Sequence, residues 1–119
     1  MNKVAFDFGG VLRRIYKGGL SEEELSRNHD AIRAMYELFI KSKDWKVYIV
    51  TKRPKDKDTL ESVWKELDHH HISHPDKIYI TLGSKQKILK ELKPDLFFDD
   101  CDDHIVEALA EGITTFKVT

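Results

Sequence analysis

Apolar residues along this chain follow two rhythms. Short, nearly unbroken runs of apolar, β-branched and aromatic residues recur at 3–8 (KVAFDF), 45–51 (WKVYIVT), 77–82 (KIYITL) and 96–100 (LFFDD), with a fifth at 113–119 (ITTFKVT). The first four alternate so little that both of their faces must be covered, the pattern of strands inside a parallel sheet. Between the runs, apolar residues fall at helical spacing. Ile32, Met35, Tyr36 and Phe39 form one such stripe, and Leu60, Val63, Trp64 and Leu67 another. Ile88, Leu89 and Leu92 mark a shorter third helix stopped by Pro94, and Ile105, Leu109 and the terminating Gly112 mark a fourth. Ser21 with Glu24 reads as a capping box opening the first helix, after a Gly-Gly turn within 13–20. The alternation predicts an α/β fold: a three-layer, Rossmann-like, five-stranded parallel sheet with helices on both faces and right-handed crossovers.

Composition narrows the class. At 119 residues the chain suits a single domain, 1–119, with one real core. Twenty basic against 21 acidic residues give a net charge of −1, which supplies no broad attraction to nucleic acid or anionic membrane. A lone cysteine, Cys101, cannot make an internal disulfide, and no apolar run is long enough to span a bilayer. A cytoplasmic protein is the expectation.

Ligands of parallel sheets bind beyond the carboxyl ends of the strands, so the residues at those ends carry the chemistry. The first run ends at Asp7, the second at Thr51 and the fourth at Asp99-Asp100, while Ser84 and Lys85 follow the third. Each alone is an ordinary turn or surface residue. The acids are harder to explain that way. Asp99, Asp100, Asp102 and Asp103 place four carboxylates in five residues, which repel unless a cation sits among them. The bland reading is that they scatter into solvent and favour the start of the next helix.

The order Asp, Thr, Lys, Asp-Asp resembles the haloacid dehalogenase (HAD) superfamily of aspartate-nucleophile hydrolases, most of them Mg²⁺-dependent phosphatases. FDFGGVL looks like its first motif, VYIVTKRP like its second, Lys85 like its third and LFFDDCDD like its fourth. The resemblance implies Asp7 as nucleophile and a Mg²⁺ ion held by Asp7, the Gly9 carbonyl and Asp100, with Asp99 or Asp103 orienting it. It implies Thr51 and Lys85 as holders of the phosphoryl oxygens, with Lys87 the alternative lysine. The Thr-Lys-Arg-Pro stretch resembles nucleotidase and polynucleotide-phosphatase members and adds Lys52 and Arg53 near the phosphate.

One position departs from the pattern. Family phosphatases usually carry an acid two residues after the nucleophile, and here Gly9 stands there. A backbone carbonyl suffices for the metal, but proton transfer needs another group, such as Asp103 or His104, or a substrate that departs unaided. The intervals from Asp7 to Thr51 and from Thr51 to Lys85 leave no room for a cap domain. An open site follows, suited to a nucleotide, a polynucleotide end or another bulky phosphorylated substrate, or to a lid from a homo-oligomeric partner. Two rivals use the same residues. A HAD domain that binds a phosphorylated partner without turnover is one. The other is a phosphorelay receiver, whose acidic pair belongs on the first strand rather than the fourth. His71 and His74 in HHHISH lack a second ligand pair for zinc, Cys101 lacks a positive helper, and Trp45 and Trp64 read as core aromatics.

Overall fold

The structure, a computed structural model, describes residues 2–12, 22–53 and 57–118, with side chains from 30 onward in the first helix and from 59 onward in the second. Ser21, the Gly-Gly turn within 13–20 and Pro54 lie outside the described residues. Among the described residues nine elements alternate: β1 Asn2–Phe6, α1 Glu22–Lys41, β2 Trp45–Lys52, α2 Lys57–His69, β3 Lys77–Thr81, α3 Gln86–Leu92, β4 Leu96–Asp99, α4 Asp102–Ala110 and β5 Thr114–Lys117. All five strands join one sheet in the order β3-β2-β1-β4-β5, and every pairing is parallel. The expected α/β Rossmann-like sheet is therefore present.

Two apolar layers flank the sheet, sorted by the twofold alternation of its strands. Val4, Phe6, Val47 and Ile49 pack with Tyr36 of α1 and Val63 and Leu67 of α2. Ala5, Val50 and Phe97 pack on the other side with Leu89 and Leu92 of α3 and Ala108 of α4. This division follows from the route of the chain. It winds outward from β1 to β3 with two helices on one face, then returns past β1 to β4 with α3 and α4 on the other, as right-handed crossovers require.

That reversal separates the loops leaving β1 and β4, and the crevice between them is the expected ligand site of such a sheet. Register decides what stands there. Phe6 pairs with Phe98, and Phe98 with Phe116, so the three rings form a ladder with centroids 4.8 and 4.9 Å apart. One residue on, the Asp7 amide donates to the Phe98 carbonyl at 2.8 Å, and the Val118 amide to the Asp99 carbonyl at 2.8 Å. Asp7 and Asp99 therefore end level with each other, both on the α3/α4 side.

Some apolar positions of the helical patterns turn outward. Met35 is 38% exposed and Leu60 37%, at the margins of their stripes. In α4 the expected pair Ile105 and Leu109 does not form the inner face. His104 and Ala108 do, and Leu109 is exposed. The helix is rotated by one residue because His104 is drawn inward to a buried carboxylate.

Candidate active site

Lys85 is the centre of the site. Its side chain is fully buried, and its ammonium lies 3.0 Å from Asp7 Oδ1 and 2.8 Å from Asp99 Oδ2. A buried lysine is tolerated only where charges of opposite sign and hydrogen bonds replace water. The β3–α3 loop delivers it across the sheet end, with its ammonium 5.7 Å from the centre of the Phe97 ring. Lys87, two residues further, is exposed on α3 and has no part in this cluster.

The two carboxylates sharing that ammonium have different surroundings. Asp99 is fully buried; its Oδ2 also meets His104 Nδ1 at 3.1 Å, and its Oδ1 accepts the Cys101 amide at 3.0 Å. Burial pushes the Asp99 carboxyl up, but His104, Lys85 and the Cys101 amide together hold it well below the usual carboxylate range. Asp7 receives the Phe8 amide at 2.9 Å and Lys85 on the same oxygen. Its carboxyl is pushed up to about 7, chiefly by burial, against the pull of Lys85, with the neighbouring Asp99 and a hydrogen bond with Asp100 adding to the rise. A cation bound beside Asp7 would favour its ionised form.

Asp7, Asp99 and Asp100 have oxygens within 4.8 Å of one another, a group able to hold a metal ion. Carboxylate oxygens suit a hard divalent cation, and the raised Asp7 carboxyl is what a site short of positive charge produces. Three hydrogen bonds already occupy the Asp99 oxygens. Asp103 is exposed in the first turn of α4 and stands outside this group, and Asp102 pairs with Lys117 at 2.8 Å.

Gly10 is a site residue that the sequence patterns did not single out. Its φ of +79° is a left-handed conformation, and a Cβ there would lie 2.2 Å from Asp100 Oδ2. The second glycine of Gly9-Gly10 lets the chain turn beneath the acidic pair, and the doubled glycine after a strand-end acid was the available signal. Gly9 itself is half-buried.

On the other side of Asp7, Thr51, the last but one residue of β2, is 3% exposed, with no hydrogen-bond partner for its hydroxyl among the described residues. Arg53 carries its guanidinium 5.6 Å from the centre of the Phe8 ring, and its amide extends the sheet by donating to the Thr81 carbonyl at 2.8 Å. Lys52 points to solvent. Away from the site, His74 bonds Asp68 at 2.6 Å and meets Trp64 edge-on, and no histidine joins a metal-binding group among the described residues. Cys101 is half-buried at the start of α4. No described helix is long and apolar enough to cross a membrane.

Comparison with known proteins gives the site a family. No curated protein sequence matches. Among solved structures, a chain in the structure of the Pnkp1/Rnl/Hen1 complex is similar in fold, with a TM-score of 0.71 and 17% identity. The similarity covers 99% of this chain but only 46% of that one. The family model for 5'-nucleotidase matches residues 16–119, beginning after the Asp7 strand and including the positions of Thr51, Lys85, Asp99 and Asp100. Together with the sheet and the strand-end residues, that match shows that the chain belongs to the 5'-nucleotidase family, a phosphatase-like branch of the HAD superfamily.

Proposed function

We propose that this chain hydrolyses phosphomonoesters through a phosphorylated Asp7. The observation that carries this reading is the Lys85 ammonium, buried between Asp7 and Asp99 at 3.0 and 2.8 Å. A cation held at that depth beside an acid pushed up to about 7 suits charge neutralisation during phosphoryl transfer.

In the first displacement an Asp7 oxygen forms a bond to phosphorus while the ester P–O bond breaks. Asp7 must be deprotonated to attack. Thr51, with a buried hydroxyl, and Lys85 would bind the equatorial phosphoryl oxygens, while Arg53 and the more exposed Lys52 would steady the substrate's phosphate from the rim. In the second displacement water attacks phosphorus, the Asp7–phosphorus bond breaks, inorganic phosphate leaves and the water proton passes to solvent. Asp7, Asp100 and the Gly9 carbonyl would hold Mg²⁺, which would supply positive charge that favours the ionised Asp7 carboxylate and offsets the charge of the phosphate. Asp99 orients Lys85 and the cluster.

The substrate class follows from the family and the open edge. No cap domain intervenes between Asp7 and Lys85, and the family's name favours a nucleoside 5'-monophosphate or a bulkier ester that presents a terminal phosphate. Gly9 offers no proton to the leaving oxygen, Asp103 stands apart, and His104 is committed to Asp99. Those facts favour substrates whose leaving group departs without a donated proton. They also sustain the second reading, a domain that binds phosphorylated partners without turnover.

Hydrolysis of p-nitrophenyl phosphate and a panel of nucleotides, with and without Mg²⁺, separates the two. The expected result is Mg²⁺-dependent release of phosphate, faster for the aryl ester than for alkyl esters, and lost in Asp7→Asn by at least about 10⁴-fold. Absence of turnover across the panel would remove the hydrolase reading and leave the binding one.

A further inference from the structure

Lys85 must place its ammonium accurately between two acids, yet its own segment is weakly built. The residues before it, Leu82 and Gly83, are exposed, Leu82 at 69%, and nothing lies within 4 Å of where a Gly83 Cβ would be. Within the loop, Thr81 Oγ1 donates to the Ser84 carbonyl at 3.2 Å and accepts the Gly83 amide at 3.4 Å, and Ser84 Oγ accepts the Gln86 amide at 3.0 Å. The helix that follows has 7 residues, and Lys85, at its N-cap, provides no side-chain cap. The Lys85 carbonyl accepts the Leu89 amide at 3.0 Å, but none of these local ties takes the Lys85 amide.

A different helix does. Glu107 of α4 accepts two hydrogen bonds on one oxygen: Ser84 Oγ at 2.7 Å and the Lys85 amide at 2.8 Å. One turn later Glu111 accepts the Gln86 side-chain amide at 3.0 Å. Ser84 Oγ in turn accepts the Gln86 amide at 3.0 Å, so the hydroxyl links Glu107 to the first residue of α3. Glu107 thus grips the backbone of Lys85 itself. The same helix carries His104, whose imidazole meets the carboxylate that receives the lysine, at 3.1 Å. Both partners of the Lys85–Asp99 pair are therefore fastened to α4, three residues apart.

We propose that Glu107 is a positioning residue for Lys85, clamping the β3–α3 loop so that the ammonium reaches Asp7 and Asp99 together. The inference rests on the reading of Lys85 as a charge-neutralising group in phosphoryl transfer. Glu107 hydrogen-bonds the backbone of Lys85 and not the cluster acids, and it acts only through the lysine. A displacement of about 1 Å in such a group is enough to cost on the order of 100-fold in rate. Because both donors converge on one oxygen, glutamine can keep the geometry and alanine cannot.

The experiment compares Glu107→Ala, Glu107→Gln and Ser84→Ala, using p-nitrophenyl phosphate with Mg²⁺ and crystal structures of the variants. Glu107→Ala is expected to lower kcat about 10- to 100-fold with little change in KM, and Ser84→Ala to lower it less. Glu107→Gln is expected to stay within about threefold of the unsubstituted protein. In a Lys85→Met background, Glu107→Ala should bring no further loss, because the residue it positions is gone. In the crystal, the Lys85 ammonium should leave Asp7 in the alanine variant and stay in the glutamine one. An alanine variant whose ammonium still contacts both acids would overturn the proposal, as would a glutamine variant as impaired as alanine or a full additive loss in the Lys85→Met background. The crystal readout needs no turnover: if the unsubstituted protein hydrolyses nothing, the hydrolase reading falls and the lysine's position still decides this one. Should Glu107→Ala not fold, the ammonium position in Ser84→Ala and the rate and structure of Glu107→Gln decide it by the same criteria.

Discussion

The ends of β1 and β4 present an instructive contrast. Asp7 and Asp99 stand level in adjacent strands, both are buried, and both touch the same Lys85 ammonium, at 3.0 and 2.8 Å. Yet the Asp7 carboxyl is pushed up to about 7 while that of Asp99 is held below the ordinary range. Burial and the lysine are common to both, so they do not explain the difference. The neighbours do. Asp99 gains His104 and the Cys101 amide as donors to its carboxylate, whereas Asp7 gains only the Phe8 amide and faces a further acid, Asp100. One strand end is a saturated anchor and the other is an acid short of positive charge. Under the proposed function, reactivity belongs to the unsaturated partner.

The sharpest way to break this comparison is to remove each acid in turn. Asp99→Ala strips the buried ammonium of its closest anion and leaves His104 without its partner, so chemical denaturation should show a loss of about 3–5 kcal/mol. Asp7→Asn leaves the Lys85–Asp99 pair intact and abolishes the burial of an unsaturated acid, so its effect on stability should be much smaller. Equal losses from the two would contradict the anchor assignment.

Titration should separate them next. Below about pH 4 Asp7 is protonated in both the folded and the unfolded chain. From there to about pH 7 the unfolded chain ionises while the fold keeps its proton, so in metal-free protein stability from this group falls as pH rises. Asp99 runs the other way: its stabilisation is present above its ordinary value of 3.8 and is lost as pH falls through its depressed one. Mg²⁺ must displace the Asp7 proton. Calorimetric titration should therefore give an affinity roughly 30-fold weaker at pH 5.5 than at pH 8, with a proton released on binding. An affinity flat across that range would show that Asp7 is not the acid the cation meets.

The smallest expected effect lies beneath the pair. Gly10→Ala forces a left-handed residue, and its Cβ would lie 2.2 Å from Asp100 Oδ2 and 2.8 Å from Asp100 Cγ, so that carboxyl group must shift. Thermal melts should show a loss of about 1–2 kcal/mol. Mg²⁺ affinity should drop as well, while the Lys85–Asp99 pair is unaffected.

Much of this molecule was legible in the order of residues. Near-continuous apolar runs marked β1 to β4, with polar residues at or just after their ends, and the run at 113–119 marked β5, whose residues are mostly exposed. Lys85 was legible for the same reason, as the cation following the third run. What escaped depends on contacts between distant elements. Ile105 and Leu109 looked like the inner face of α4, yet a buried carboxylate at Asp99 draws His104 inward and turns the helix by one residue. Asp99 was expected, like Asp103, to orient the metal, and only its three donors mark it as an anchor. Glu107 belongs to none of the sequence motifs, and only folding brings it to the backbone of a residue 22 positions away. Met35 and Leu60 matched the helical period but fall at the edges of wider stripes, where half the side chain stays wet.

The central claim is that Asp7, and not Asp99, carries the phosphoryl group. Acid quench of the Mg²⁺-loaded protein during turnover of p-nitrophenyl phosphate, followed by borohydride reduction, converts an acyl phosphate to an alcohol that peptide mass spectrometry can locate. The account predicts reduction at Asp7, with Asp99 unmodified. Phosphate release with no modification at Asp7, or with modification at Asp99, would contradict it.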